Sequence, residues 1–186
     1  MSTAWLYTGL VGLVALERLA ELRLAARNAA RAFAQGGIER GQRHYKVMQA
    51  LHTAFLVACP AEVWLLHRPF QPVLAAAMLA VLVGTMGLRY WAIHTLGERW
   101  NTRVIAVPGL PAVTGGPYRW VRHPNYVAVI LELAALPLLH GAWLTALVFS
   151  LANLALLRVR VGVEEATLRE LCDYEARLAD RPRGLL

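Results

Sequence analysis

The chain has 186 residues and a formal net charge of +7, and 58% of its residues are hydrophobic. This length corresponds to one domain, and the apolar fraction exceeds the roughly 45–50% of average soluble domains. The basic residues lie in short gaps between apolar runs, which is the pattern that membrane orientation produces. Nucleic acid is therefore excluded as a partner, and the sequence predicts an integral membrane protein.

Apolar runs along the chain predict the membrane helices. A crossing needs about 20 mostly apolar residues, and three runs of about that length come first, at Thr3–Leu24, Val47–Leu66 and Pro72–Leu88. A longer run, Tyr126–Leu157, contains Pro137 and the pair His140–Gly141 near its middle, which predict a helical hairpin. We therefore expect an all-α fold of about five transmembrane helices that ends in a C-terminal hairpin.

The basic side chains predict the orientation. Of the 19 Lys and Arg residues, 15 lie in three segments, at 25–46, 96–123 and from Arg158 onward. Five crossings place all three segments on one face, which the positive-inside rule makes cytoplasmic. We expect an inner or plasma membrane protein with its N-terminus outside and its C-terminus in the cytoplasm. The chain is read as one domain, 1–186, with three helices in 1–95 and a polar loop, hairpin and tail in 96–186.

Two polar stretches flank the predicted hairpin. In the first, Gly115-Gly116-Pro117 predicts a turn and Pro124 suits the first turn of a helix, whose N-terminus favours anions. A basic interfacial loop is an equally open interpretation. In the second, the pair Glu164-Glu165 could accept hydrogen bonds from an amine or a ribose hydroxyl. The apolar spacing of residues 161–179 also fits a solvated amphipathic helix, and spacing alone favours that alternative.

Taken together, these stretches resemble the isoprenylcysteine carboxyl methyltransferase family, which shares its C-terminal core with phospholipid methyltransferases of membranes. The resemblance covers about Leu96 to Arg183. It rests on these motifs: Gly116-Pro117-Tyr118-Arg119, then Arg122-His123-Pro124-x-Tyr126, a two-pass hairpin, and Arg158 followed by Glu164-Glu165.

The N-terminal half is similar to a bacterial branch of that family associated with polyketide synthases that make alkylresorcinols and alkylpyrones. In that branch the methylation target is a ring hydroxyl instead of a prenylcysteine carboxylate. The motifs of this second resemblance are Glu17-Arg18-x-x-Glu21-Leu22, Arg27-Asn28, Gly37-x-Glu39 and His44-Tyr45.

The family resemblance implies S-adenosylmethionine as cofactor, held between the loop before the hairpin and the C-terminal segment. His123 would pair with its methionine carboxylate, and the two glutamates would serve its adenosine and amino end. Arg158 would be the catalytic residue, close to the acceptor oxygen, while Arg119 and Arg122 would serve the cofactor or lipid head groups. The implied cofactor-binding residues are Tyr118, His123, Tyr126, Glu164 and Glu165.

The implied reaction transfers a methyl group to an oxygen of a lipophilic prenylated or long-chain alkyl substrate within membrane lipids. The chain has no Gly-x-Gly-x-x-Gly motif and no metal-ligand spacing, which excludes a Rossmann-type methyltransferase and predicts no metal. A carboxylate acceptor is ionised at neutral pH, whereas a phenol with a pKa of about 10 needs a base. Ionisable groups inside membrane spans are candidates for that base, namely Glu17, Glu21, Glu132 and His52.

Two other functions stay open on the residues alone. A phospholipid head-group N-methyltransferase would share the C-terminal core. A small membrane transporter or scaffold without enzymatic activity would explain the helices and the charge bias, but not the clustering of Tyr118, His123 and the two glutamates on one side.

Overall fold

The computed structural model describes residues 2–184, and most of them are helical. Five long helices are joined by short connections, except between the third and fourth helices, where the chain runs through 27 largely irregular residues. A single-turn helix follows the fifth. The helices are α1 Ser2–Ala34, α2 Gln42–Leu65, α3 Pro72–Leu96, α4 Pro124–Leu138, α5 Trp143–Leu171 and α6 Tyr174–Leu178. The prediction of a mainly helical fold is confirmed.

Two helical segments among residues 2–184 are long and apolar enough to cross a membrane, Pro72–Arg99 and Trp143–Leu171. Every run predicted as a span is helical, but α1 carries charges in its second half, and α4 has 15 residues. At 1.5 Å per residue α4 is about 22 Å long, which is less than the roughly 30 Å of a hydrocarbon core. Five crossings therefore stay a prediction.

The predicted hairpin is present. Pro124 opens α4, and the chain turns between Leu138 and Trp143, where Gly141 adopts a φ of +68°. Nine of the 15 residues of α4 are buried, so this helix is the interior element of the bundle, packed between α3 and α5.

Glu62 of α2 caps the start of α5. Its carboxylate accepts hydrogen bonds from the backbone N–H groups of Leu144 (3.2 Å) and Thr145 (2.6 Å), while Arg68 donates to the same carboxylate at 2.9 Å. The first N–H groups of a helix have no partner within the helix and carry partial positive charge, so a carboxylate there is stabilising. Glu62, which lies in the second predicted span, thus fixes the hairpin against α2.

The hydrophobic core joins α1, α2, α3 and α4. Its buried side chains come at helical spacing from each helix, so that one apolar stripe per helix faces the centre. Its larger members are Tyr7, Val11, Val14, Phe55, Val63, Leu82, Val129, Leu133, Leu136 and Leu139.

A cluster of charged side chains is buried beside this core. Arg89 of α3 donates to Glu21 of α1 at 2.7 Å and to Glu132 of α4 at 3.3 Å, and Arg18 lies 2.6 Å from Glu21. Glu17 joins at the edge, where it contacts Arg18. Because a buried charge is costly without a partner, this cluster fixes α1, α3 and α4 against one another.

Two features differ from what the sequence predicts. A two-stranded antiparallel sheet pairs β1, Ile38–Arg40, with β2, Val104–Ala106. Helix α5 also continues without a break to Leu171, where the sequence suggested a separate amphipathic helix from residue 161. The first half of α5 is apolar. Its second half lies at the polar end of the protein and carries charged side chains.

We expect Arg89→Ala to destabilise the protein strongly. The substitution leaves the carboxylates of Glu21 and Glu132 buried with only Arg18 to neutralise them, and breaking a buried ion pair costs about 3–5 kcal/mol. Thermal unfolding in detergent should show a clear drop in midpoint temperature. Arg40→Ala, which removes an exposed ion pair, is the control and should change it little. Equal stability of the two variants would contradict the structural role of the cluster.

Candidate functional site

A cavity of about 410 Å³ lies at the polar end of the bundle. The end of α1, the connection between α3 and α4, the last turns of α5, and α6 form its walls. This volume is within the range of small-molecule sites, about 300–1,000 Å³. Its lining combines polar and aromatic groups with backbone, and it includes the side chains of Tyr118, His123, Asn125, Tyr126, Arg160 and Glu164.

Asn28 of α1 anchors the first part of the connection between α3 and α4. Its side-chain amide donates to the backbone carbonyls of Gly97 (3.1 Å) and Trp100 (2.8 Å), and the amide of Asn101 donates back to the carbonyl of Ala25. These bonds tie the connection to the side of α1.

The next residues of the connection are held by the segment between α1 and α2 and by the first turn of α2. Tyr45 and Thr102 share a hydrogen bond of 3.0 Å, and Arg103 donates to Glu39 at 3.0 Å. Asn28, Glu39 and Tyr45 belong to the motifs that resemble the bacterial branch of the family. In this structure Asn28 lines the cavity, Glu39 holds the lining residue Arg103, and Tyr45 holds Thr102 beside it.

Arg160, Tyr126 and Glu164 form a chain of hydrogen bonds at the cavity wall. The Arg160 Nε donates to the Tyr126 hydroxyl at 2.7 Å, and that hydroxyl donates to a Glu164 carboxylate oxygen. The Nη2 of Arg160 donates to the backbone carbonyl of Thr102 at 2.7 Å. Arg160 and Glu164 are four residues apart on α5 and hence share a face, which meets the first turn of α4.

Two polar atoms of cavity residues are buried without a hydrogen-bond partner among residues 2–184. One is Nη1 of Arg160, a cationic donor, and the other is Oδ1 of Asn125, an acceptor. Buried polar atoms are almost always paired in native proteins, so an unpaired one calls for an explanation. A ligand that carries an anionic or carbonyl oxygen and an N–H or O–H donor would satisfy both.

Glu165 lies behind the cavity wall and is fully buried. His123 (Nε2, 3.2 Å) and the Tyr174 hydroxyl (3.2 Å) contact its Oε1, and Arg183 (Nε, 2.9 Å) donates to the same oxygen. Arg169 donates to its other oxygen at 3.0 Å. Glu165 thus fixes the ring of His123 in the wall and draws the C-terminal segment against α5.

The C-terminal segment, residues 172–184, closes one side of the cavity. Backbone and side-chain groups of Arg122 donate to the carbonyls of Pro182 (2.9 Å) and Arg181 (2.6 Å). Arg181 donates in return to the carbonyl of Tyr118 at 2.7 Å. The loop before α4 and the end of the chain therefore hold each other in place.

Burial keeps two tyrosine hydroxyls at the cavity in their neutral form. Burial raises the pKa of the Tyr118 hydroxyl, and the nearby Glu164 carboxylate raises it further. Burial likewise raises the pKa of Tyr174, with the Glu165 carboxylate contributing. Both phenols are neutral hydrogen-bonding groups at physiological pH.

The structure brings four of the five predicted cofactor residues to the cavity wall: Tyr118, His123, Tyr126 and Glu164. Glu165 contacts His123 from behind. Arg158, the predicted catalytic residue, has an exposed side chain and is not part of the cavity lining. Its proposed contact with the acceptor stays a prediction, and its position gives that prediction no support.

Sequence reasoning missed Arg160, although a signal was present. Arg160 is four residues before Glu164 and three after the buried Leu157, so it shares their helix face, whereas Arg158 is six residues before Glu164 and points elsewhere. The two arginines of the loop are also distinct, because Arg122 lines the cavity and Arg119 is exposed over the Trp120 ring.

The four candidate bases do not line the cavity. Glu17, Glu21 and Glu132 belong to the buried cluster around Arg89, and His52 bonds to the carbonyl of Met48 on its own helix. The three glutamates thus form ion pairs within the helix bundle.

Comparison with known proteins identifies the family. Residues 76–170 match the model of the isoprenylcysteine carboxyl methyltransferase (ICMT) family. The chain belongs to this family. The match includes the cavity residues from α3 to the last turn of α5, and membership makes the chain part of a family of membrane methyltransferases.

Two curated relatives share most of their length with this chain. The uncharacterized protein YpbQ of Bacillus subtilis is 39% identical over 166 residues, which cover 87% of this chain and 95% of the relative. An uncharacterized protein of Haemophilus influenzae is 29% identical over 155 residues, covering 83% and 90%. No solved structure matches.

Proposed function

We propose that the protein uses S-adenosylmethionine to methylate an oxygen of a lipophilic acceptor at the membrane surface. The observation that carries this proposal is the unpaired Nη1 of Arg160 in the wall of a cavity that is also lined by Glu164 and three tyrosine side chains. A buried guanidinium donor without a partner is a site for an anionic oxygen, because a charge-assisted hydrogen bond is worth about twice a neutral one.

The cavity residues fit S-adenosylmethionine in chemical type. The ligand offers a carboxylate, an ammonium, ribose hydroxyls and an aromatic base. The chain offers His123 and Arg122 for an anion, Asn125 Oδ1 for a donor group, and the Tyr118 ring for an apolar or aromatic surface. Each kind of group in the ligand therefore has a matching side chain in the lining.

When bound, S-adenosylmethionine supplies an electrophilic methyl group on a sulfonium. The chain's own contribution is to hold cofactor and acceptor in contact and to exclude water, which together supply most of what such a transfer needs. The C-terminal segment excludes water on one side, and the segment anchored by Asn28 and Tyr45 does so on another.

The acceptor is proposed to be lipophilic and to enter from the bilayer. Directly beneath Arg160 lies an apolar cluster of Tyr126, Leu157 and Val161, with Met48 and Ile130 packed against it. A polar head at Arg160 would leave its alkyl or prenyl tail at the depth of the membrane helices. Each buried CH₂ of that tail contributes about 0.8 kcal/mol, so longer tails should raise kcat/KM until the groove is filled.

Incubation with labelled S-adenosylmethionine and lipid extracts tests the function directly. Product analysis by mass spectrometry identifies the acceptor atom. A methylated oxygen on a long-chain or prenylated product supports the proposal. A methylated head-group amine would make the protein a phospholipid N-methyltransferase instead, and absence of both transfer and cofactor binding would leave a non-enzymatic membrane protein.

For topology we propose that the cavity end is cytoplasmic and the N-terminus is outside, in the inner or plasma membrane. The support is the concentration of basic residues at the cavity end. Single cysteines at Arg40 and Asp180, in a Cys172→Ser background, should resist an impermeant thiol reagent in intact cells. A cysteine at His67, in the exposed α2–α3 connection, should react. Opposite labelling of the first two positions would contradict this topology.

We expect His123→Ala and Glu165→Ala each to weaken S-adenosylmethionine binding by roughly tenfold or more. His123 would lose a hydrogen bond of about 1.5–3 kcal/mol to a charged group, and Glu165→Ala would release the His123 ring and the segment that carries Arg183. Isothermal calorimetry in detergent measures this. Glu170→Ala, an exposed position on the same helix, serves as control, and wild-type affinity in both test variants would refute the assignment.

Substitution of two neighbouring arginines decides which one faces the acceptor. We expect Arg160→Lys to lose most methyl transfer, because an ammonium cannot keep the bonds to Tyr126 and Thr102 and still offer a donor to the ligand. Arg158→Lys tests the prediction from sequence, and its exposed position leads us to expect a rate near wild type. Initial rates at saturating cofactor compare the two, and the reverse order would return the role to Arg158.

A further inference from the structure

The Tyr126 hydroxyl oxygen can accept one more hydrogen bond than it does. A phenolic oxygen donates one hydrogen bond and accepts two. Its proton goes to Glu164, and the Arg160 Nε donates to it at 2.7 Å. One acceptor position is therefore unused, on an oxygen of a residue that lines the cavity. A hydroxyl group of a ligand could donate to it.

From this arrangement we propose that Tyr126 and Glu164 remove the proton when a ring hydroxyl is the methyl acceptor. The acceptor hydroxyl donates to the Tyr126 oxygen, and the Tyr126 proton is already directed at the Glu164 carboxylate. This inference rests on the proposed function, and it assigns the site a proton acceptor, which the four candidate bases in the membrane helices do not supply.

The step balances without any further reactant. The acceptor O–H bond breaks, and its proton passes to the Tyr126 oxygen as the Tyr126 proton passes to Glu164. The acceptor oxygen forms a bond to the methyl carbon as that carbon's bond to the sulfonium sulfur breaks, so the sulfur leaves as a neutral thioether. Glu164 then gives the proton to water. Arg160 stabilises negative charge on the oxygens throughout, since its guanidinium is fixed beside them.

The location of the three residues favours the acceptor over the cofactor. Tyr126 is also part of the apolar cluster with Leu157 and Val161, so the hydrogen-bond chain lies at the boundary between the cavity and the membrane part of the bundle. The ring of His123 stacks on that of Tyr126 and also contacts Glu165, which connects His123 to the C-terminal segment. A substrate that comes from the bilayer reaches the Arg160–Tyr126–Glu164 chain first.

The charged and titratable groups around Glu164 are few. Tyr126 faces it from α4 and Arg160 from its own helix, while Tyr118 and His44 approach from the loop before α4 and from the start of α2. Arg160 is the cation of this group, because burial lowers the pKa of His44. The Arg160 guanidinium donates to the same Tyr126 oxygen that contacts Glu164.

The test uses two alkylphenols with the same chain, one unsubstituted and one with a nitro group that ionises it at neutral pH. Glu164→Gln preserves the size of the side chain and an oxygen for the Tyr126 proton, but it cannot take up a proton. With the unsubstituted phenol we expect kcat to fall about 100-fold or more, the range of general-base effects. With the ionised phenol we expect a loss of less than about fivefold.

Two further readouts separate proton removal from other roles. In Glu164→Gln the rate with the unsubstituted phenol should rise about tenfold per pH unit toward the pKa of the phenol, whereas the wild type should be flatter. Calorimetric affinity for S-adenosylmethionine should stay within about threefold of wild type. Tyr126→Phe should follow the same pattern, and the exposed control Glu170→Gln should react like wild type with both phenols.

Equal losses with the two phenols, or a tenfold loss of cofactor affinity in Glu164→Gln, would overturn the inference and make Glu164 a cofactor ligand. Wild-type protein that methylates the phenols would still support the proposed function in that case. Wild-type protein that neither binds the cofactor nor methylates any lipophilic acceptor would defeat the proposed function itself.

Discussion

The buried carboxylate of Glu165 is the contact on which the cavity depends. An ionised carboxylate without access to water requires several donors, and those donors come from distant parts of the chain: His123 before α4, Tyr174 in α6, and Arg183 near the C-terminus. Any movement of one segment leaves a buried charge with fewer partners. The loop, α5 and the C-terminal segment consequently form one unit, whose inner surface is the cavity wall.

A second buried charge, deeper in the bundle, also requires several partners of opposite charge, but here the central group is a cation. There Arg89 is the central cation, and carboxylates from two other helices surround it. The apolar cluster that contains Leu157 and Val161 also includes Tyr126, and it therefore joins the helix bundle to the cavity wall.

The features that sequence reasoning predicted are local ones. Pro124 and the His140–Gly141 pair act on the backbone within a few residues, and the hairpin they predicted is present. The family motifs predicted that Tyr118 and His123 share a cofactor pocket, and both side chains line one cavity; their role there stays a prediction.

The features that it missed are set by contacts distant in sequence. A pairing of three residues with three others, as in β1 and β2, leaves almost no periodic signal. Glu21 and Glu132 stood out as charges within apolar runs, but their use depends on Arg89, which no local pattern connects to them. To choose between Arg158 and Arg160, one must know which of them lies on the same face of α5 as Glu164. The family motif did not supply that.

The position of the C-terminal segment has a consequence for biosynthesis. Ribosomes make the chain from its N-terminus, so the residues of helices α1 to α5 are synthesised before residues 172–184. Until Arg181 and Arg183 emerge, the loop before α4 lacks its partners, and Glu165 keeps Arg169 but lacks the guanidinium of Arg183. The cavity would thus stay open on the side that this segment closes, and a small ligand would be retained only once these side chains dock.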